Sequence, residues 1–219
     1  MPPGELRPYV ENVTDRTSNP FGMRPPCDRL GNDGYSAVFG YGDANADFHV
    51  IGDHPGVHGG KRTGVPFTET ADGRAIGRLA RELGFASGPT EAPILDNLFY
   101  NYLHMCRLPD GHEPTPSAYD DLEPYFDAEL RAINAHILIP VGRRATDHVL
   151  REYTTRRRRL TLDMAALHAR EIRGRGFLVV PVREPSEWEP GDEETIVSAL
   201  ADILARDYRQ TKGVATLVG

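Results

Sequence analysis

Lysine, cysteine and long apolar runs are all scarce in this chain, and each scarcity excludes something. Two cysteines, Cys27 and Cys106, are too few for the disulfide framework that holds small secreted domains. No run is long and apolar enough to cross a bilayer. The opening Met-Pro-Pro-Gly-Glu lacks the charged-then-apolar pattern of a signal peptide, so the expected location is cytoplasmic. No internal repeat is visible. Lys61 and Lys212 are the only lysines among 25 basic residues. The net charge of −7 argues against a broad nucleic-acid-binding face. Local arginine clusters stand against that average: Arg143, Arg144 and Arg151, then the run Arg156 to Arg159. Such a cluster either contacts phosphates or forms a solvated helix end.

What remains is the composition of a globular domain, 219 residues with 39% apolar and 26% charged side chains. Residues 1–35, rich in Pro, Gly, Asn and Asp, read as an irregular arm packed on a single domain spanning 36–219. Beyond the arm, strand and helix patterns alternate. Strands are predicted at Phe48 to Gly52, Leu95 to Leu103, His136 to Val141 and Phe177 to Val182. A helix is predicted over Arg74 to Leu83, capped by Asp72 and stopped by Gly84, and a second opens at a Ser117 cap. Gly142 to Tyr153 and Glu193 to Tyr208 complete the helical set. This order predicts a three-layer α/β/α sandwich on a four-stranded parallel sheet.

The densest chemistry lies between Ala46 and Thr70. A β-favouring run ends abruptly at Gly52-Asp53-His54-Pro55-Gly56. A turn at the carboxyl end of a strand is where an open α/β sheet binds its ligand. Asp53 and His54 place a carboxylate beside an imidazole, which suits proton transfer or water activation. Read without that chemistry, the stretch is a polar turn.

These segments resemble, in order, the uracil-DNA glycosylase superfamily, most closely its family four. Gly52 to Gly56 match the family's first motif, with Asp53 in place of Glu and His54 in place of Ala. Gly64-Val65-Pro66-Phe67 matches the second motif, with Glu69 where the family ends in Gly. Cys106-Arg107-Leu108-Pro109, followed by Pro114-Thr115-Pro116, resembles the third. The last is Glu184-Pro185-Ser186-Glu187-Trp188, with Glu184 replacing a histidine and Trp188 an inserting leucine. The resemblance spans roughly residues 24–207 and implies the superfamily's α/β/α fold.

It also implies an activity. A base-excising enzyme flips a nucleotide out of the stack, holds its base and stabilises charge as the glycosidic bond breaks. The resemblance assigns Phe67 to stacking, the alternative being a core residue that anchors the turn, with backbone amides near Gly52, Asp53 and Gly56 toward the base carbonyls. Asp53 then positions water or offsets a cationic sugar. His54 either shares that work in neutral form or simply caps the turn. Asn101 is the base-reading candidate, but the register slips, so that Tyr102 occupies the family's position unless a bulge restores Asn101. Glu184 would repel a departing uracil anion if ionised and donate to it if protonated. Pro185, Ser186 and Trp188 form the expected DNA-inserting loop, with ordinary packing as the alternative for Trp188 and Arg143 and Arg144 as further DNA contacts. The expected substrate is uracil, hypoxanthine or xanthine in DNA, acted on by a monomer. The rivals are a catalytically weakened DNA-binding relative and an unrelated small-molecule hydrolase.

Family four holds a four-iron cluster on four cysteines. Cys27 and Cys106 match two of these, while the other two fall near Arg24 and Leu122. The cluster is therefore expected to be absent. The remaining cysteines are expected either as free thiols or as a disulfide. The nearby His104 and His112 fit no standard zinc spacing.

Overall fold

A computed structural model describes residues 12–13, 24–29, 37–206 and 208. Its centre is β3 (Phe48–Gly52), buried at every position. A strand enclosed on both faces has no need of polar alternation, and within this one only His49 is polar. On one side β3 pairs in parallel with β6 (Leu98–Tyr102), on the other with β7 (Ile137–Pro140). The parallel set ends with β9 (Phe177–Val179) beside β7.

These four strands are the predicted parallel core, but the sheet extends further at both edges. β2 (Tyr41–Asp43) pairs antiparallel with β6, and β1 (Asn12–Val13) pairs antiparallel with β2. At the other edge β8 (Ile172–Gly174) forms an antiparallel hairpin with β9. The result is a seven-stranded mixed sheet.

The long second strand expected from Leu95 to Leu103 is broken. Asn97 adopts φ +56°, and its backbone N–H donates to Asp43 Oδ2 at 3.0 Å. Upstream of the break, β5 (Ile94–Leu95) turns away to pair with β4 (Ala86–Ser87) as a separate hairpin.

Two apolar layers sandwich the sheet. On one face Val50, Tyr100, Tyr102 and Ile139 pack against α2 (Ala71–Glu82) and α6 (Asp192–Ala205). On the other, Ile51, Leu103 and Leu138 pack against α3 (Pro116–Ile133) and α4 (Gly142–Glu152). The helix starts shift slightly from expectation. Thr70, not Asp72, caps α2 by accepting from the Gly73 N–H, and Thr115, not Ser117, caps α3 by accepting from the Ala118 N–H. Gly84, at φ +78°, follows α2 as predicted.

Of the predicted arm, most lies outside the described residues. Two pieces are described: the β1 pairing and a 3-10 turn at Pro26–Arg29, whose Cys27 is disulfide-bonded to Cys106. Among the described residues, no helix is long and apolar enough to cross a membrane.

Candidate active site

The candidate site forms where β3 ends. Gly52 is required there, because a Cβ would lie 2.8 Å from both His58 Nδ1 and the Tyr102 ring. The next four-residue turn is α1 (Pro55–His58). His54 caps it, with Nδ1 accepting the Gly56 N–H at 3.1 Å. Its Nε2–H therefore donates to Glu113 Oε2 at 2.9 Å, and the ring is buried.

One turn later the chain brings His58 back against the strand end. The Asp53 N–H donates to His58 Nδ1 at 3.0 Å. A backbone amide can only donate, so the ring proton sits on Nε2, which donates to Glu184 Oε1 at 2.8 Å. Glu184 arrives from beyond β9, after Val182 bridges Val141 in parallel. Its Oε2 lies over the first residue of α4, where any Cβ on Gly142 would collide with it. Asp72 stands close by. Burial first, and then the charge of Glu184, push its carboxyl above the usual range, opposed by hydrogen bonds from Ser186.

The Asp53 carboxylate is held from two sides. Tyr119 donates its hydroxyl to Oδ1, and Arg144 Nε donates to Oδ2 at 3.2 Å. The Arg144 guanidinium also lies 4.4 Å from the centre of the Tyr119 ring. Burial, and then the Asp53 charge, drive the Tyr119 phenol far above its ordinary value, so it remains a donor.

Asp53 and Glu184 line one open cleft of about 530 Å³. Asp147, Glu187, Leu162 and three guanidiniums, those of Arg143, Arg144 and Arg157, complete its lining. The arginines are committed locally. Arg143 donates to the Leu162 carbonyl at 2.7 Å, and Arg157 pairs with Asp147. With three cations against four carboxylates, the cleft is no strong anion attractor.

A family profile described as the uracil DNA glycosylase superfamily matches residues 39–199. The chain belongs to the uracil-DNA glycosylase superfamily. It is 25% identical over 180 residues to a type-4 uracil-DNA glycosylase of Saccharolobus solfataricus, covering 81% of this chain and 75% of that protein. A type-5 uracil-DNA glycosylase of Thermus thermophilus is 30% identical over 124 residues, 55% of this chain and 57% of its own. A type-5 uracil-DNA glycosylase of Pyrobaculum aerophilum is 25% identical over 171 residues, 76% and 73% respectively.

Within this superfamily member, several residues expected at the base are placed elsewhere. Phe67 presents no open ring face. It is 3% exposed at φ +59° and enclosed by His58, Tyr100 and Tyr102, with ring centroids 5.0–5.4 Å away. Tyr102 fills the space beside it. Its hydroxyl accepts the Phe67 N–H at 2.7 Å and lies within hydrogen-bonding reach of the His58 and Gly59 carbonyls, at 2.9 and 3.1 Å.

No bulge restores Asn101. It pairs in register with Ile51 and therefore faces α3, where Nδ2 donates to Glu129 Oε2 at 3.1 Å. Trp188 does not project. Its Nε1–H donates to the Arg183 carbonyl at 2.8 Å, and the indole packs on the core edge. Pro185 and Ser186 sit in a 3-10 turn, Pro185–Glu187, with Ser186 exposed.

His58 and Tyr119 were not among the predicted site residues. Each had a weak signal: His58 stands four residues after the capping His54, and Tyr119 lies in the first turn after Pro116.

The donor set does not fit the four-iron cluster of family four. The chain's two cysteines are bonded to each other, and Leu122, near a missing ligand position, is a buried apolar residue. Among the described residues, no group of three or more His, Cys, Asp or Glu is arranged to hold a metal.

Proposed function

We propose that this protein hydrolyses the N-glycosidic bond of a damaged base in DNA. The observation that carries the reading is the strand-end cleft, into which Asp53 and Glu184 both open. Cleavage of a glycosidic bond develops positive charge on the sugar, and paired carboxylates beside it offset that charge. Arg143 and Arg144 border the same cleft, and bound DNA would draw them from their local partners to its phosphates. Because Tyr102 fills the space beside Phe67, the base is received in the open cleft. That favours hypoxanthine or xanthine over uracil. The protein works as a monomer and carries no iron-sulfur cluster.

The test is to incubate the protein with single-stranded and duplex oligonucleotides carrying uracil, hypoxanthine or xanthine and to score abasic sites. Formation of abasic sites that Asp53→Ala abolishes supports the reading. Iron analysis of the purified protein tests the cluster.

A second reading, a DNA-binding relative without catalysis, is favoured by the same closed space and by Asn101 facing away from the cleft. It expects binding to lesion-bearing DNA without turnover.

A further inference from the structure

Of the four carboxylates that line the cleft, Asp53 and Glu184 differ in their surroundings. Both oxygens of Asp53 are engaged, one by a phenol and the other by a guanidinium. Neither Asp53 oxygen is left free of a donor. Glu184 is held differently. Its Oε1 takes one hydrogen bond from His58 Nε2, a neutral donor whose tautomer the Asp53 amide dictates. Its Oε2 sits over Gly142, and the side chain is 21% exposed at the cleft. His58 is fully buried, so its ring is fixed in place.

We propose that Glu184 is the base that activates the attacking water, that His58 is its positioning residue, and that Asp53 stays ionised as an electrostatic partner of the sugar. This rests on the glycosylase reading above. In the step, Glu184 Oε2 takes one proton from water while the water oxygen bonds to C1′. The C1′–N bond breaks, and its electron pair leaves with the base. Protonated Glu184 then returns its proton to the departed base or to solvent, which restores the carboxylate. Gly142 is part of the arrangement, since a side chain there would occupy the position of Oε2.

The charged and titratable groups around Glu184 are His58 from α1, Asp72 from α2, Glu187 on its own loop, and, lining the same cleft, Asp53 at the end of β3, Arg143, Arg144 and Asp147 of α4 and Arg157. Burial first, and then the charge of Glu184, raise the Asp72 carboxyl above its usual range.

The experiment is single-turnover abasic-site formation across pH by the wild type and by Glu184→Gln, Glu184→Asp, Asp53→Asn and His58→Gln, with melting curves to confirm folding. Glu184→Gln is expected to lower the rate about 100-fold or more and to remove the acidic limb of the profile. Asp53→Asn lowers the rate but keeps the limb. His58→Gln weakens the hydrogen bond that favours ionised Glu184, so the limb moves to higher pH; a purely structural role would lower the rate without moving it. Glu184→Asp retains the limb at reduced rate. The assignment is overturned if Glu184→Gln keeps the limb or reacts at a rate comparable to wild type. A folded wild type that forms no abasic sites on any lesion removes the glycosylase reading itself, and the assignment with it.

Discussion

The Tyr102 hydroxyl accepts the backbone hydrogen of Phe67 at 2.7 Å, which locks the two rings into one buried unit. Tyr102→Phe would leave the Phe67 amide and two carbonyls, those of His58 and Gly59, without this partner. A loss of about 1–3 kcal/mol in folding stability is expected, read by urea denaturation. Tyr102→Ala is expected to lose about 3–5 kcal/mol and to open a void beside Phe67. Free uracil should then raise the melting temperature of Tyr102→Ala and leave that of the wild type unchanged.

Tyr119 and Arg144 together fix the direction of the Asp53 carboxylate. Tyr119→Phe removes one hydrogen bond to a charged group, worth about 1.5–3 kcal/mol. If that bond orients Asp53 during reaction, single-turnover abasic-site formation should fall about tenfold or more, with little change in the pH of half-maximal rate. An unchanged rate would show that Arg144 alone suffices.

Beneath the sheet, Glu129 is fully buried and accepts from the Gly40 amide and from Asn101. Burial raises its pKa from 4.5 to about 7, against those two hydrogen bonds. Between these values the folded chain holds a proton that the unfolded chain has lost, so this group lowers stability as pH rises, by about 3 kcal/mol in all. His49, lowered by burial from 6.5 to about 3, acts in the opposite sense. There the unfolded chain binds the extra proton, so stability rises with pH. The two slopes oppose each other between 4.5 and 6.5. Glu129→Gln removes one of them. Its stability, measured by urea denaturation at successive pH values, should climb more steeply with pH in that window than that of the wild type.

The Cys27–Cys106 bond joins residues 79 apart in sequence. Loop closure on that scale is worth about 4 kcal/mol through the unfolded chain. Cys27→Ser, or reduction by dithiothreitol, should lower stability by about that amount. Thiol titration of the denatured, unreduced protein should find no free cysteine.

The parallel core was legible in the sequence because Ile137 to Pro140, buried on both faces, is an apolar run and Phe48 to Gly52 is one but for His49. The edges were not, because β2 and β8 are three residues long and carry no period to detect. In the site, Asp53 could be placed because Gly52 and Pro55 bracket Asp53-His54 where a strand stops. The roles of Phe67, Tyr102 and Asn101 depended on register, which pairs Asn101 with Ile51 and turns it toward Glu129. No local pattern carries that information. His58 reached the site through one turn of helix, and only the folded backbone shows which amide it receives.

The disulfide also changes the covalent topology of the chain. Residues 27–106 form a closed ring that contains β3, α1, α2 and β6. A single peptide cut anywhere inside it, for instance in the turn between Ser87 and Ile94, leaves both fragments attached. Such a nicked molecule would migrate as one species on a non-reducing gel and separate into two only after reduction.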